Sequence, residues 1–210
     1  MVSTVVHVSF GALVAAALLH EFDAKALAAV CAFAAFPDVD TFLGIWVAGG
    51  HRALLHTLLL PALLGVLLYW DTHRTESFLH AKFGRRGPHV AAVGIVALVV
   101  GGILPDLMTN GVNLFYPVHD RFYTFAGKLH LSSTDGVVQT FVDLSDDAGG
   151  GGTVGGTTND THYYTGVDLE RGADPKHAER VFPIVSSGLE LVVVLSALTG
   201  VAGRFREAKR

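Results

Sequence analysis

Apolar residues are concentrated in five stretches, which cover residues 5–20, 24–36, 53–70, 89–105 and 184–203. Each stretch is longer than a typical strand, so the pattern predicts helices. At 1.5 Å per residue, the third and fifth helices reach roughly 27–30 Å, which is enough to cross the hydrocarbon core of a bilayer. The second reaches about 20 Å, so it either spans with help from its flanking residues or is re-entrant.

The composition agrees with a membrane protein. Half of the 210 residues are apolar and 16% are charged, whereas an ordinary soluble domain has about 25% charged residues. The single cysteine, Cys31, excludes a disulfide-rich scaffold. A net charge of -4 without a basic arm argues against nucleic acid as a partner. We therefore predict an all-α, polytopic membrane bundle of about five transmembrane helices, with membrane lipids as its surroundings.

The long polar segment divides the chain into three regions. Residues 1–116 form a membrane domain with the first four helices, residues 117–183 form an insertion, and residues 184–210 form the last helix and a basic tail. In the insertion, β-branched residues predict a strand over Val137–Leu144. The glycine-rich run at 149–158 predicts a flexible loop. The insertion is thus expected to be mixed and partly flexible.

Two basic clusters indicate how the chain is oriented. One lies between the third and fourth helices and the other in the C-terminal tail; their members are Arg74, Lys82, Arg85, Arg86, Arg204, Arg206, Lys209 and Arg210. The positive-inside rule places both clusters in the cytoplasm. A five-helix count satisfies both, with the N-terminus and residues 106–183 outside and the C-terminus cytoplasmic. We predict a multi-pass protein of the cell membrane.

Four separate segments deliver histidine or aspartate to the outer membrane face. The candidate metal ligands are His7, Asp38, Asp40, His51, His56 and Asp106. Ionisable residues near the membrane are costly and usually functional. Imidazoles and carboxylates without a thiolate are typical of a metal site with nitrogen and oxygen ligands. We expect Zn²⁺ first, with Mn²⁺ or Mg²⁺ as alternatives. Taken singly, each residue is also compatible with a helix cap, a turn or an interfacial position.

Spacing refines this hypothesis. On a continuous helix His51 and His56 would diverge by roughly 140°, so both face one ion only if His51 precedes the helix. Arg52 and His56 are four residues apart and would share a helix face, which places a guanidinium where it could hold an anionic group such as phosphate. Glu190 lies about 10 Å into the fifth helix, either as a neutral structural residue or as a proton carrier.

The motifs, in order, resemble the YdjM-like family of membrane-bound metal-dependent hydrolases over roughly residues 5–120. They are His7, Pro37-Asp38-Val39-Asp40, His51-Arg52 with His56-Thr57, and Asp106 through Pro117. The resemblance implies that a water whose pKa the metal ion lowers attacks an ester or phosphoester. On this hypothesis the candidate catalytic residues are Arg52, Asp40 and Glu190. Arg52 would neutralise an anionic substrate, an unligated aspartate or histidine would act as general base, and Glu190 would be the proton carrier.

One position departs from that family pattern. The family usually has a histidine four residues before the aspartate that matches Asp106, where this chain has Gly102. Either one ligand is missing, or Glu190 or a histidine of the insertion replaces it.

Two other functions remain open. A transporter or ion-binding protein would place polar groups near the bilayer midplane, and Glu190 is the feature that favours it. A degenerate, non-catalytic hydrolase acting as an interaction protein is favoured by Gly102. The middles of helices one, three and four are almost wholly apolar. This pattern favours a surface site that hydrolyses a lipid, lipid-linked or other phosphoester substrate.

Overall fold

A computed structural model describes residues 2–47, 49–141, 153–161, 163, 166–167 and 181–210 of the chain. The described part is mostly helical. Its α-helices are α1 (Thr4–Leu18), α2 (Ala24–Ala35), α3 (Leu59–Thr72), α4 (Phe78–Phe83), α5 (Gly87–Ala97), α6 (Leu104–Leu107) and α7 (Gly188–Glu207). A 3-10 segment, Phe36–Ile45, directly continues α2, and a π-helical segment, Leu98–Ile103, joins α5 to α6.

Helices α1 and α2 cross closely at the centre of the bundle. A Cβ atom on Gly11 would lie 2.7 Å from the Cβ atom of Ala34, so only glycine permits this approach. Two polar residues fix the starts of these helices: Ser3 accepts a hydrogen bond from the Val6 backbone N–H, and Asp23 accepts from those of Lys25 and Ala26. The buried core is built mainly from small side chains, including Ala15, Ala26, Val30, Ala34 and Ala97.

Three helical stretches in the described part are long and apolar enough to cross a membrane: Ala24–Ile45, Gly87–Leu107 and Gly188–Glu207, of 22, 21 and 20 residues. The expected count of five is therefore not reached. The second apolar stretch is longer than expected because the 3-10 segment extends it. The third is shorter, because residues 49–58 form turns and bends and α3 begins only at Leu59.

Large apolar side chains on the outside of the bundle support contact with lipid. Exposed residues on α3 and α7 include Leu63, Val66, Leu67, Leu189, Val192 and Leu198. A soluble monomer rarely leaves so continuous an apolar surface in water.

The insertion contains two small antiparallel sheets. Strand β1 (Tyr123–Thr124) pairs with β4 (Thr153–Val154), and β2 (Leu129–Ser132) pairs with β3 (Gly136–Gln139). The predicted strand at 137–144 is thus confirmed only as far as Gln139, and residues 142–144 lie outside the described residues. The loop predicted at 149–158 is described only from residue 153, where β4 begins.

The two ends of the bundle differ in chemistry. At one end, Arg86 forms an ion pair with Asp23, and Nη2 of Arg204 donates to the Leu19 carbonyl at 2.6 Å. These contacts tie the α1–α2 turn to the start of α5 and the end of α7. The start of α1, the 3-10 segment and α6 meet at the opposite end, which holds the buried side chains of His7, His56, Asp40 and Asp106.

Candidate metal centre

Four ligand atoms converge at the end of the bundle opposite the basic residues. Nε2 of His7 lies 3.5 Å from Oδ1 of Asp38 and 3.3 Å from Oδ2 of Asp106. Nε2 of His56 lies 3.8 Å and 3.2 Å from the same two oxygens. Ligand atoms around a tetrahedral ion with bonds of about 2.1 Å are about 3.4 Å apart. The four nitrogen-to-oxygen separations lie near that value. The group whose ligand atoms all lie within 4.8 Å of one another is His7, Asp38 and Asp106, and His56 adjoins its two carboxylates.

In His7 and His56, one of the two ring nitrogens lacks a hydrogen-bond partner among the described residues. In both rings that nitrogen is Nε2, and it is buried. A buried polar atom without a partner is rare, because its lost hydration is not replaced. Both atoms face Oδ2 of Asp106 at 3.2–3.3 Å, at the long end of the range for an N–H···O hydrogen bond. A cation at this point would bind the imidazole nitrogens and the carboxylate oxygens together, so the residues fit a metal ion.

Backbone chemistry explains which nitrogen of His7 faces the centre. Nδ1 of His7 lies 2.6 Å from the carbonyl oxygen of Gly101. In an α-helix that carbonyl would accept from the residue four positions later, but Pro105 has no N–H. This carbonyl, to which Pro105 cannot donate, accepts from Nδ1 and leaves the Nε2 lone pair for a ligand. The contact lies in the π-helical segment, and such segments often occur at functional sites.

Asp40 does not join the four atoms but lies directly behind them. Its Oδ2 atom is 2.8 Å from Nδ1 of His56 and its Oδ1 atom is 2.8 Å from Nδ1 of His51. Oδ2 also accepts from the backbone N–H of Arg52 at 3.0 Å. Of the six expected ligands, the structure thus brings together His7, Asp38, His56 and Asp106. Asp40 and His51 are held one contact further away.

The charges around His56 favour a cation. Burial lowers the pKa of His56, but the carboxylates of Asp40 and Asp106 outweigh burial and raise that pKa to about 10. The carboxylates thus hold positive charge on the ring when no other cation is present.

Arg52 is buried and held in an unusual backbone conformation. Its φ of +64° lies in the left-handed region, which a side chain other than glycine rarely adopts away from functional sites. Its backbone N–H donates to Asp40 and its carbonyl accepts from Asn113 N at 2.8 Å, so the peptide groups on both sides of its Cα atom are fixed. Nη2 donates to Oδ1 of Asp106 at 2.6 Å, and Cζ lies 4.6 Å from the Tyr163 ring centroid.

This arrangement differs from the helical one that the spacing predicts. Helix α3 begins after His51, Arg52 and His56. This meets the condition that His51 must precede the helix if His51 and His56 are to face one ion. Arg52 and His56 therefore do not share a helix face, but they reach the two oxygens of one carboxylate, that of Asp106. Tyr163 and Asn113 are missed by the sequence reasoning. Asn113 falls within the motif that ends at Pro117, whereas no signal marks Tyr163.

Gly102 has no room for the histidine of the family pattern. A Cβ atom there would lie 2.7 Å from the Ala34 carbonyl oxygen and 2.8 Å from Cγ of Pro37. Helix α2 and the Pro37 ring therefore occupy the space in which an imidazole would begin.

Glu190 is not seen to replace the missing ligand. Helix α7 begins at Gly188, so Glu190 lies in its first turn rather than 10 Å inside it. Its Oε2 atom accepts from Ser186 N at 2.5 Å, while its own N–H donates to Ser187 Oγ. Ser187 thus caps the helix, while the Glu190 carboxylate holds the backbone N–H of the residue before the cap. No contact between Glu190 and the metal-centre residues is found among the described residues.

A cavity of about 440 Å³ adjoins the centre. Its polar wall includes Asp38, His51, Arg52 and Asp106. Its apolar wall includes Val2, Val5, Val39, Phe42 and Phe182. A volume of this size is typical of a small-molecule site.

No curated protein and no solved structure matches the chain. The family model described as YdjM inner membrane protein matches residues 1–163, which include every residue of the candidate metal centre. This match and the three helices of spanning length place the protein in a membrane. The chain belongs to the YdjM inner membrane protein family.

Proposed function

We propose that this protein is a membrane-bound metal-dependent hydrolase that cleaves an ester or phosphoester. His7, Asp38, His56 and Asp106 would hold the ion. The observation that carries the proposal is the pair of buried, unpartnered Nε2 atoms facing two carboxylate oxygens at 3.2–3.8 Å. Two nitrogens and two oxygens favour Zn²⁺, with Mn²⁺ or Mg²⁺ as alternatives.

The surrounding residues have separate tasks in this proposal. When bound, a divalent cation lowers the pKa of a coordinated water and draws charge from the ester under attack. His51 lines the cavity, and because Asp40 holds its Nδ1 atom, its Nε2 atom is left to accept the proton of the attacking water. Arg52 supplies positive charge beside Asp106 for an anionic substrate. Asp40 thus acts by orienting His51 and His56.

We propose that the centre lies on the outer side of the membrane. The basic clusters belong to the opposite end of the bundle, which the positive-inside rule places in the cytoplasm. A site at the membrane surface would meet lipid or lipid-linked substrates without removing them fully from the bilayer.

Gly102 is the observation that favours a non-catalytic member of the family. It removes one histidine of the family pattern, although the four converging ligand atoms remain. The transporter alternative loses its main support, because Glu190 caps a helix instead of lying unpaired inside it.

Metal analysis of the purified, detergent-solubilised full chain tests the metal centre. After incubation with Zn²⁺ and desalting, we expect about one ion per chain for the wild type and clear losses for His7→Ala and His56→Ala. His80→Ala is the matched control, because His80 is exposed on α4. Only variants that elute as the wild type on size exclusion are compared. A wild type that holds no more zinc than His56→Ala would contradict the metal centre.

Hydrolysis of chromogenic ester and phosphoester substrates then tests catalysis. We expect hydrolysis by the loaded wild type, loss on addition of EDTA, and a strong reduction in Asp38→Ala. Full metal content without hydrolysis of either class would support the non-catalytic alternative.

A further inference from the structure

Two of the three side-chain nitrogens of Arg52 are not used in hydrogen bonds to the residues that the structure describes. Its side chain is fully buried, and only Nη2 is used, on Oδ1 of Asp106. Nε and Nη1 have no hydrogen-bond partner within the described part of the chain. Leaving charged donors buried without acceptors is costly. Arg52 lines the cavity beside the candidate metal centre, so a ligand there can supply the missing acceptors.

The form of this donor set favours one ligand chemistry. A planar guanidinium matches the oxygens of a phosphoryl group, which carries a permanent negative charge and several acceptors. A neutral carboxylic ester offers no charge to offset the buried cation. The Tyr163 ring, 4.6 Å from Cζ, supports the guanidinium plane from one side.

The charge balance makes the metal ion part of the same subsite. Asp38 and Asp106 place negative charge beside Arg52, which disfavours an anion there. A divalent cation between the carboxylates adds positive charge to the same site. An anion should therefore bind more tightly at Arg52 when the centre is loaded.

The rest of the cavity wall is mainly apolar, with the hydroxyl residues Ser3, Thr4 and Thr41 among its members. Val5 on α1 and Val39 and Phe42 in the 3-10 segment line it, and all three are partly exposed. Such a wall accepts a hydrocarbon chain, with about 0.8 kcal/mol gained per buried methylene, or about fourfold in affinity.

We infer that the site takes a phosphate ester with an alkyl chain, with its phosphoryl group at Nε and Nη1 of Arg52 and its chain along Val5, Val39 and Phe42. This inference rests on the proposed function, because the loaded metal centre supplies part of the positive charge. It selects phosphoesters over carboxylic esters and amphipathic substrates over soluble ones.

Methylphosphonate and hexylphosphonate are suitable probes, because their C–P bonds are not hydrolysed and binding alone is measured. Isothermal titration with the zinc-loaded full chain in detergent should show tighter binding of hexylphosphonate, up to about fourfold per methylene that becomes buried. Hexanoate, with the wrong head group, should bind more weakly than hexylphosphonate. Removal of zinc with EDTA should weaken phosphonate binding.

Variants separate the two halves of the subsite. Arg52→Lys keeps the positive charge but loses the planar set of guanidinium donors. It should weaken the binding of both phosphonates by at least about tenfold at unchanged zinc content. Val39→Trp should fill the apolar wall and remove the advantage of hexylphosphonate while leaving methylphosphonate binding intact. Tyr163→Leu, which removes no charge, is a second variant should Arg52→Lys not fold, and should weaken both probes about threefold.

The outcomes distinguish this inference from the proposed function. A fully zinc-loaded wild type that does not bind phosphonates, or whose affinity is independent of chain length, overturns the inference but leaves the metal centre intact. Equal binding by Arg52→Lys, or undiminished binding in EDTA, also overturns it. A wild type that binds no zinc overturns the proposed function instead.

Discussion

Asp40 accepts a hydrogen bond from Nδ1 of His56 at 2.8 Å and thereby determines that Nε2 of His56 faces the candidate metal centre. Carboxylates placed behind a ligating histidine fix its tautomer and raise its basicity. We expect Asp40→Asn, which keeps the shape but removes the charge, to lower zinc affinity by about 10–100-fold. Competition with a chromophoric chelator measures this affinity.

Asp135→Asn is the matched control for that experiment. Asp135 lies in the turn of the β2–β3 hairpin and bonds only to neighbouring residues there, as far as the described contacts go. Its variant should bind zinc as the wild type does. Equal affinities for Asp40→Asn and Asp135→Asn would show that Asp40 does not support the centre.

Metal binding should release protons at neutral pH. The carboxylates of Asp40 and Asp106 raise the pKa of His56 to about 10 without a metal ion, so that ring is protonated at pH 7. A cation must displace this proton from Nε2, and zinc affinity should rise with pH, approaching tenfold per unit for one proton. Calorimetry in buffers of different ionisation enthalpy measures the number released. A pH-independent affinity between pH 6 and about 9 would contradict a protonated His56.

Substitution of two glycines should have opposite effects on stability. Gly102→Ala places a Cβ atom 2.7 Å from the Ala34 carbonyl, whereas a Cβ atom on Gly65 in α3 meets nothing within 4 Å. We expect Gly102→Ala to cost about 1–3 kcal/mol and Gly65→Ala to be neutral or stabilising by up to about 1 kcal/mol. Thermal unfolding in detergent compares them. Equal melting temperatures would mean that Gly102 is not tightly packed.

The proposed orientation can be tested with single cysteines. In a Cys31→Ser background, a membrane-impermeant maleimide should label Thr134→Cys in intact cells, because Thr134 belongs to the insertion. Arg85→Cys should react only after permeabilisation, because the basic cluster is expected in the cytoplasm. Labelling of Arg85→Cys in intact cells would reverse the orientation.

The helical class and much of the centre can be predicted from sequence because both depend on local patterns. Long apolar stretches predict helices whatever their packing. His7, Asp38, His56 and Asp106 lie near helix ends that must meet at one membrane face. Which stretches are long enough to span could not be predicted: the 3-10 continuation of α2 and the late start of α3 depend on how residues 49–58 fold around Asp40.

The different positions of Asp38 and Asp40 could not be predicted from the sequence either. Asp38 and Asp40 are two residues apart in a 3-10 segment, where three residues complete a turn, so their side chains point in different directions. Asp38 reaches Nε2 of His7 in the candidate metal centre, whereas Asp40 contacts the Nδ1 atoms of His51 and His56. Glu190 illustrates the converse problem, because a Ser-x-x-Glu pattern at a helix start can be mistaken for a buried carboxylate when the helix boundary is placed too early.

Pro105 is not a proposed metal ligand or catalytic residue, yet it influences which nitrogen of His7 carries the proton. Because proline has no N–H, it does not compete with Nδ1 of His7 for the Gly101 carbonyl oxygen. A residue with an N–H at this position would compete for that oxygen, and the ring could exchange tautomers. The expected defect is a His7 ring that keeps its position but carries its proton on Nε2, so that no lone pair faces the candidate metal centre.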